Sequence, residues 1–239
     1  MTYCLALRLD EGLVLLSDTR TNAGVDNVGT YRKLHVLQPA ADRVFLVQSA
    51  GSLATTHEVL DRIDTDLATP GGNESLATVS HLHEAATYLG RLNREIADRH
   101  RPALGGSATA TFILGGQIAG DRPDLLLVYP EGNYIHVSDD RPFLQIGESK
   151  YGKFMLELAV HAKVDIDTAV KVALSSMIST AHANLSVGPP YDLGVYRNGS
   201  LTIEETRFEV DSPFLASLRE RWMAHFLDAI DHLPGPPDA

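Results

Sequence analysis

The chain has 239 residues, of which 44% are hydrophobic and 21% charged, and its formal net charge at pH 7 is -11. This length can bury one large core or two small ones, in proportions ordinary for a globular protein. No apolar run is long enough to cross a bilayer, and the acidic excess argues against nucleic acid or an anionic membrane as the main partner. The single cysteine, Cys4, cannot form an internal disulfide, so we expect a cytoplasmic protein.

The first fifty residues predict two pairs of strands joined by short turns. Short apolar runs with loose alternation define the strands, and an Asp-Glu-Gly turn signal separates the members of the first pair. The four predicted strands cover residues 2–9, 13–16, 32–38 and 43–48, and Gly51 ends the strand that the last of them begins.

Helical stretches then follow at about 52–68 and 76–99, separated by Pro-Gly-Gly at 70–72. More strands and two more helices come next, and a strand pair meets at the Asn-Gly turn of residues 198–199, a strong hairpin signal. These later elements are strands from Ala108, at 124–129 and at 134–137, helices at 149–162 and 166–184, and strands at 191–197 and 200–209.

Two helix starts carry capping signals. Either Asp165 or Asp167 caps the helix at 166–184, and Ser212-Pro213 opens a last helix, with the proline in a good first-turn position. Apolar side chains recur along this last helix, and they usually mark a face that packs on its own core, with a subunit interface as the alternative. The stripe is Phe214, Leu218, Trp222, Phe226 and Ile230, flanked by Leu215, Met223 and Leu227.

Runs of strands alternate with runs of helices along the whole chain. This order favours an α+β fold with antiparallel sheets and segregated helix layers over a βαβ alternation. Nothing inside the chain resembles a linker. We therefore predict a single domain over residues 1–233 and a flexible, proline-rich tail over 234–239.

Thr2 becomes the first residue if the initiator Met1 is removed, and methionine is generally trimmed before a small residue. A free α-amine has a pKa of about 7.7–8.0, so at neutral pH a useful fraction is unprotonated and can take the proton of the residue's own hydroxyl. Thr2 would then be a nucleophile with a built-in base. Many proteins begin Met-Thr, so this feature alone carries little weight.

The residues that follow Thr2 strengthen its interpretation as a nucleophile. The segment DEGLVLLSDTR, residues 10–20, closely resembles the second strand of proteasome β-subunits, where D-G-V-V-L-A-A-D-T-R occurs, and Asp18 falls 16 positions (18 minus 2) after Thr2. Lys33 matches that family's catalytic lysine, and Gly51 matches the glycine whose backbone N–H faces the developing oxyanion. Four matches in register are far more specific than any one of them.

The chemistry of these residue types agrees with the resemblance. A lysine ammonium close to the Thr2 hydroxyl lowers the free energy of its alkoxide, and Asp18 would hold the ammonium of Lys33 charged and oriented. A backbone N–H at Gly51 would stabilise a tetrahedral oxyanion. An ordinary salt bridge between Asp18 and Lys33 is the alternative interpretation.

The start Met-Thr-Tyr-Cys, without a propeptide, is most similar to the bacterial ancestral β-subunit group called Anbu. The resemblance implies a four-layer αββα sandwich of the N-terminal-nucleophile hydrolase type, assembled into homo-oligomeric rings or open, ring-like helices. It also implies a threonine-type hydrolase of peptide or other amide bonds that needs no cofactor or metal. Because no ATP-binding motif occurs in the chain, unfolding of a protein substrate would require a separate partner.

The sequence departs from the family pattern near the expected active site. Glu148, next to Ser149, aligns where a serine commonly contacts the terminal amine. Asn184 and Val187 align with the usual aspartate and serine of a D-x-x-S-G segment, and Ser186 would replace the latter if the loop shifts by one residue.

Glu148 matters for the proposed base. An ionised carboxylate beside the α-ammonium would raise the pKa of that amine and reduce the fraction of free base. Alternatively, Glu148 pairs with Lys33 or Lys150 and leaves the amine unaffected.

Substrate would lie extended along strand edges, in the manner of an added β-strand. By position, the candidate substrate-binding residues are Thr21, Asn22, Tyr31, Ser49 and Leu53.

Two other functions stay open: a non-proteolytic amidase or acyltransferase on a small substrate, and a structural ring that retains Met1. Cys4 is more typical of a buried packing group than of a nucleophile. His81 and His83 could be metal ligands by type, but a helix would point them in different directions, so we expect a solvated helix face.

Overall fold

The computed structural model describes residues 2–22, 28–69 and 74–235. Met1, the predicted break at 70–72 and the last four residues of the predicted tail therefore lie outside the described residues. The strands are β1 (Tyr3–Leu9), β2 (Gly12–Asp18), β3 (Arg20–Asn22), β4 (Val28–Thr30), β5 (Leu34–Ala40), β6 (Arg43–Gly51), β7 (Ala110–Ile118), β8 (Asp124–Val128), β9 (Tyr134–His136), β10 (Phe143–Gly147), β11 (Tyr191–Arg197) and β12 (Ile203–Phe208). The helices are α1 (Leu53–Leu67), α2 (Leu82–Leu104), α3 (Lys150–Ala159), α4 (Ile166–Ala183) and α5 (Pro213–Asp231).

Two five-stranded antiparallel sheets lie between two layers of helices. The first sheet has the order β10-β1-β2-β11-β12 and the second has the order β5-β6-β7-β8-β9. Helices α3 and α4 cover the first sheet, whereas α1 and α2 cover the second. The predicted α+β class and the four-layer αββα sandwich are confirmed.

Strand β2 is buried on both of its faces, which explains its unbroken apolar run. Leu13 and Leu15 contact the second sheet, whereas Val14 and Leu16 belong to the cluster beneath α4. Successive side chains of a strand point to opposite faces, so a strand between two layers needs apolar residues at every position. This burial also fixes the register, because a slip by one residue would exchange the two faces.

The register of the β1–β2 hairpin brings the end of β2 to the start of the chain. Cys4 pairs with Ser17, and Leu9 pairs with Gly12 across the turn at Asp10-Glu11. Asp18 follows Ser17 directly and therefore lies beside the first residues of β1.

The second predicted helix begins later than expected. Residues 75–79 form a turn in which the Ser75 N–H donates to Thr78 Oγ1 at 3.0 Å, and the Glu84 carboxylate then accepts the Ser80 N–H at 2.6 Å. These local side-chain bonds compete with the helix, so α2 starts at Leu82 rather than at residue 76.

Other boundaries also differ from the sequence prediction. Strands β3, β4 and β10 were not expected, because their three to five residues show no regular alternation of apolar and polar side chains. Helix α3 ends at Ala159, three residues before its predicted end. Asp165, and not Asp167, caps α4, since its carboxylate accepts the Thr168 N–H at 2.8 Å.

The apolar stripe of α5 does not pack on the core as predicted. Leu215 is buried and Leu218 is partly buried, but Phe226 is 53% exposed and Ile230 is 48% exposed. The first turns of α5 therefore reach the core beneath α4, and Trp222 still contacts α4 because its Nε1 donates to Ser179 Oγ at 2.9 Å, whereas the last turns are exposed. Within the described ranges, no helix combines the length and the apolar character that crossing a membrane requires.

Gly90 tests the packing of α2 on the turn between β8 and β9. A Cβ at this position would lie 2.2 Å from the carbonyl oxygen of Gly132. We expect Gly90→Ala to lower the free energy of unfolding by about 1–3 kcal/mol through overpacking, although alanine is favoured in helices by about 1 kcal/mol. Urea unfolding measures this, with Gly106→Ala as the control, because no atom lies within 4 Å of its added Cβ. Equal stability of the two variants would contradict the prediction.

Candidate active site

The buried carboxylate of Asp18 is the centre of the site. Its side chain is fully buried, and Oδ1 accepts hydrogen bonds from the Tyr3 N–H at 3.0 Å and from Lys33 Nζ at 2.7 Å. The other oxygen, Oδ2, accepts the Gly188 N–H at 3.4 Å. Asp18 therefore connects the start of β1, the start of β5 and the loop before β11.

Lys33 reaches this carboxylate from the loop before β5. Its side chain is only 6% exposed, and Nζ donates a second hydrogen bond to the Arg20 carbonyl oxygen at 2.6 Å. The Lys33 carbonyl in turn accepts the Ser49 N–H at 3.1 Å. Two acceptors, the Asp18 carboxylate and the Arg20 carbonyl oxygen, thus fix the position of Lys33 Nζ.

Thr2 lies between the ends of β1 and β10. It is half-buried, and its carbonyl oxygen accepts the Glu148 N–H at 2.6 Å. Gly147 lies directly against Thr2, because a Cβ there would be 1.9 Å from the Thr2 carbonyl oxygen. Since the Tyr3 N–H and the Lys33 ammonium share Asp18 Oδ1, the ammonium stands beside the Thr2–Tyr3 peptide bond.

Burial dominates the electrostatics of the acidic groups here. It raises the pKa of Asp18, and the Lys33 ammonium opposes this shift. Burial likewise raises the pKa of the Cys4 thiol far above its usual range, and Cys4 Sγ points to the Ser49 carbonyl oxygen at 3.7 Å. A fully buried thiol with a raised pKa fits a packing group rather than a nucleophile.

Gly51 ends β6 in a conformation that favours glycine. Its φ is +114°, and a Cβ would lie 2.5 Å from the Thr109 carbonyl oxygen. The next residue, Ser52, caps α1 by accepting the Thr55 N–H at 3.2 Å. The close pairing of β6 with β7 therefore requires a glycine at position 51 for structural reasons. The family resemblance implies a second reason, the role of the Gly51 N–H in the oxyanion site.

Glu148 and Asn184 contact each other at the other side of Thr2. Asn184 Nδ2 donates to Glu148 Oε2 at 3.0 Å, and Asn184 Oδ1 accepts the Ser186 N–H at 3.0 Å. In the part of the chain that the structure describes, neither Lys33 nor Lys150 lies within 4 Å of the Glu148 carboxylate. The alternative in which Glu148 forms an ion pair with one of these lysines is therefore not the one observed.

Val187 and Ser149, which the family resemblance places near the active site, make different contacts. The Val187 side chain is fully buried in the core beneath α4. Ser149 precedes α3, and its carbonyl accepts from Gln145 Nε2 at 3.4 Å. The loop at 186–188 therefore contacts Asp18 through a backbone amide, that of Gly188, rather than through a side chain.

The predicted substrate-binding residues differ in their exposure and therefore in their ability to contact a substrate. Tyr31 is 43% exposed and its ring stands edge-on to His57, with centroids 5.9 Å apart. Ser49 is buried between Cys4 and Lys33, so its side chain is a poor candidate for substrate contact. Leu53 is half-buried at the start of α1, and Thr21 lies in β3. The side chain of Asn22 lies outside the described residues.

Several groups of the site escaped the sequence analysis. The Tyr3 amide, the Arg20 carbonyl and the Gly188 amide are backbone groups, and residue type carries no signal for them. His57 could have been predicted from the sequence, because it follows the candidate Leu53 by four residues and therefore lies on the same face of the helix.

His81 and His83 do not diverge as predicted. His81 precedes α2 as its N-cap, and the two rings stack with centroids 5.3 Å apart. His81 Nδ1 lies 2.9 Å from the Asp121 carboxylate, which raises the pKa of this exposed histidine. Among the described residues, no group of three or more His, Cys, Asp or Glu side chains could hold a metal ion.

Solved structures of Anbu proteins match this chain over nearly its whole length. No protein-family model matches the chain, and no curated protein matches it. A solved structure of Anbu (ancestral beta-subunit) from Yersinia bercovieri is 39% identical, covers 99% of this chain and 100% of its own, and has a TM-score of 0.93. A helical assembly of the Anbu complex from Pseudomonas aeruginosa is 39% identical, with 99% of both chains covered and a TM-score of 0.93. An Anbu (Gly-1) mutant from Hyphomicrobium sp. strain MC1 is 38% identical, with 100% of both chains covered and a TM-score of 0.92.

Removing one partner of the buried Asp18–Lys33 ion pair is expected to destabilise the protein strongly. We expect Asp18→Asn to lower the free energy of unfolding by about 3 kcal/mol, because it leaves the Lys33 ammonium buried without its counter-charge. The double variant Asp18→Asn/Lys33→Met should recover much of this loss. Urea unfolding at one protein concentration and pH 7 measures both. A single variant as stable as the original chain would show that the pair is exposed to water.

Proposed function

The chain belongs to the Anbu (ancestral β-subunit) family, and from this premise we propose that it is a threonine-type amide hydrolase. Thr2 is the nucleophile after removal of Met1, and its own α-amine is the base. The observation that carries the proposal is the shared acceptor: one oxygen of Asp18 receives both the Lys33 ammonium and the Tyr3 N–H. This arrangement keeps a buried positive charge beside the residue that would attack.

The proposed reaction proceeds in two steps. The α-amine takes the proton of the Thr2 hydroxyl, the Lys33 ammonium stabilises the developing alkoxide, and the oxygen attacks the carbonyl carbon of the scissile amide. The Gly51 N–H stabilises the oxyanion, and the ammonium of the α-amine returns its proton to the leaving amine. Water then hydrolyses the acyl-enzyme ester with the α-amine as base.

Peptides or other amides are the proposed substrate class. Tyr31, Leu53 and the neighbouring His57 form a partly exposed group at the end of β6 that could receive a substrate side chain. An extended substrate would bind along β3 and the end of β6, where backbone groups supply regular hydrogen bonds.

Self-association is the second part of the proposal. The Anbu complex of Pseudomonas aeruginosa forms a helical assembly. In this chain, α3 and α5 expose large apolar side chains: Tyr151, Phe154, Leu158, Phe226, Leu227 and Ile230. Several large apolar side chains exposed on the same helices are typical of protein interfaces, so we propose a homo-oligomeric ring or ring-like helix, with substrate delivery by a separate partner.

Intact mass and covalent labelling test the nucleophile. We expect the mass of the untagged protein to lack Met1, and a β-lactone to acylate it at one site, because the free Thr2 hydroxyl is activated. Thr2→Ala should abolish the labelling while leaving Met1 removal intact, since alanine is also small. The control is Thr206→Ala, which removes an exposed hydroxyl in β12.

The outcomes of this experiment separate the rival functions. Retained Met1 without labelling would overturn the proposal in favour of a structural assembly. Labelling at Thr2 without cleavage across a peptide panel would favour a non-proteolytic amidase or acyltransferase.

The pH dependence of labelling tests the role of Glu148. An ionised carboxylate near the α-amine favours the protonated amine, so its removal lowers the pKa of the amine and increases the free base at neutral pH. We expect Glu148→Ser to move the rising limb of the pH–rate profile to lower pH by about one unit. Glu220→Ser, which removes an exposed carboxylate from α5, is the control. An unchanged profile in Glu148→Ser would refute this role.

A further inference from the structure

A cavity of about 410 Å³ lies next to the Asp18–Lys33 pair, outside the proposed reaction site. It opens between the end of α4, the loop before β11 and the start of α5, and we call it the arginine cavity. Arg20, Tyr191 and Arg219 supply its polar wall, and Ile178, Val187 and Leu215 are among its apolar lining. Its volume is within the range of about 300–1,000 Å³ that is usual for small-molecule sites.

The arginine cavity is positively charged in an acidic protein. Its titratable side chains are Arg20, Arg219, His182, Tyr191 and Asp211, so at neutral pH two guanidinium groups face one carboxylate. The chain as a whole carries a net charge of -11. Because α4 ends here and α5 begins here, the two helix dipoles offset each other, and the arginines decide the sign of the local charge.

Both arginines have unused hydrogen-bonding capacity. Within the described ranges, neither guanidinium has a carboxylate within 4 Å. Arg20 Nη1 donates to the Leu185 carbonyl oxygen at 2.7 Å, and the rest of its guanidinium lies against Gly188. A guanidinium offers five donors in a planar fork, which matches the two oxygens of a carboxylate.

Tyr191 adds an unpartnered polar group to the same wall. It is only 3% exposed, and its hydroxyl forms no hydrogen bond with any described residue. Burial and the Asp18 carboxylate raise the pKa of this hydroxyl, and the Arg20 and Arg219 guanidinium groups, which line the same cavity, oppose that shift. Because Tyr191 lines the cavity, its hydroxyl is available to donate a hydrogen bond to a ligand that occupies it.

We propose that the arginine cavity binds a small carboxylate that carries a short apolar chain. The carboxylate lies between Arg219, Arg20 and the Tyr191 hydroxyl, and the chain contacts Ile178 and Leu215. A single negative charge matches the one-charge excess of the wall, whereas the apolar lining gives a phosphate no compensating contact. This binding does not depend on the proposed hydrolase activity.

The position of Arg20 connects this ligand to the catalytic candidates. Its side chain lies in the arginine cavity, and its carbonyl oxygen accepts a hydrogen bond from Lys33 Nζ at 2.6 Å. A ligand that immobilises the Arg20 side chain therefore also restrains one of the two acceptors of the Lys33 ammonium.

Titration calorimetry on the full chain tests the proposal with hexanoate as the probe. We expect saturable binding of hexanoate, and no binding of 1-hexanol or inorganic phosphate at the same concentrations. Arg219→Gln should weaken hexanoate binding about tenfold or more, because it removes a charged donor, and Tyr191→Phe should weaken it by less. Arg221→Gln is the matched control, since it removes the same charge from the same helix and does not line the cavity.

Three results would overturn the proposal. The first is that hexanoate does not bind the original chain. The second is that Arg219→Gln and Arg221→Gln weaken binding equally. The third is that phosphate or 1-hexanol binds as tightly as hexanoate. Arg219 and Arg221 are both exposed on α5, so we expect the circular dichroism of these two variants to match that of the original chain. Tyr191→Phe provides a further variant of the site, in which only the hydroxyl oxygen is removed.

Discussion

The buried ion pair between Asp18 and Lys33 constrains the architecture around the N-terminus. Two charges removed from water are tolerated only if nearby groups satisfy them, and their attraction alone does not offset their desolvation. Here the partners are the Tyr3 amide, the Gly188 amide and the Arg20 carbonyl, which come from three separate parts of the chain. Satisfying the pair therefore holds β1, β3 and the loop before β11 in one arrangement around Thr2.

The sandwich supplies the rigidity that this arrangement needs. Strand β2 is buried between the second sheet and α4, so its register cannot slip without exposing leucines or burying polar groups. Asp18 is the last residue of that strand, and its position follows from the same register. The polar site is thus attached to the most deeply buried strand of the first sheet, whereas Tyr31 and Leu53, the candidate substrate contacts, lie at less buried positions at its margin.

The helix layer over the first sheet has a different character. Its apolar side chains are only partly used by the core, as Phe154 and Phe226 on α3 and α5 illustrate, and it encloses the arginine cavity between α4 and α5. A surface that combines exposed apolar stripes with a charged cavity is more typical of binding than of structural support. The catalytic candidates and the arginine cavity meet at Arg20, whose carbonyl oxygen accepts from Lys33 and whose side chain lines the cavity.

Much of the fold and the centre of the site could be predicted from local patterns. The β1–β2 hairpin, the two helix pairs and the spacing of Thr2, Asp18 and Lys33 follow from turn residues, apolar runs and a family resemblance, all of which are properties of short segments. The start of α2, the exposure of α5 and the contacts of Glu148 could not be predicted in this way. Periodicity identifies an apolar helix face but not what covers it, and backbone partners such as the Gly188 amide carry no residue signature. The sequence by itself determined which residues could perform the chemistry. Only the tertiary structure decided which backbone groups hold those side chains, because the hydrogen bonds concerned join segments up to 170 residues apart.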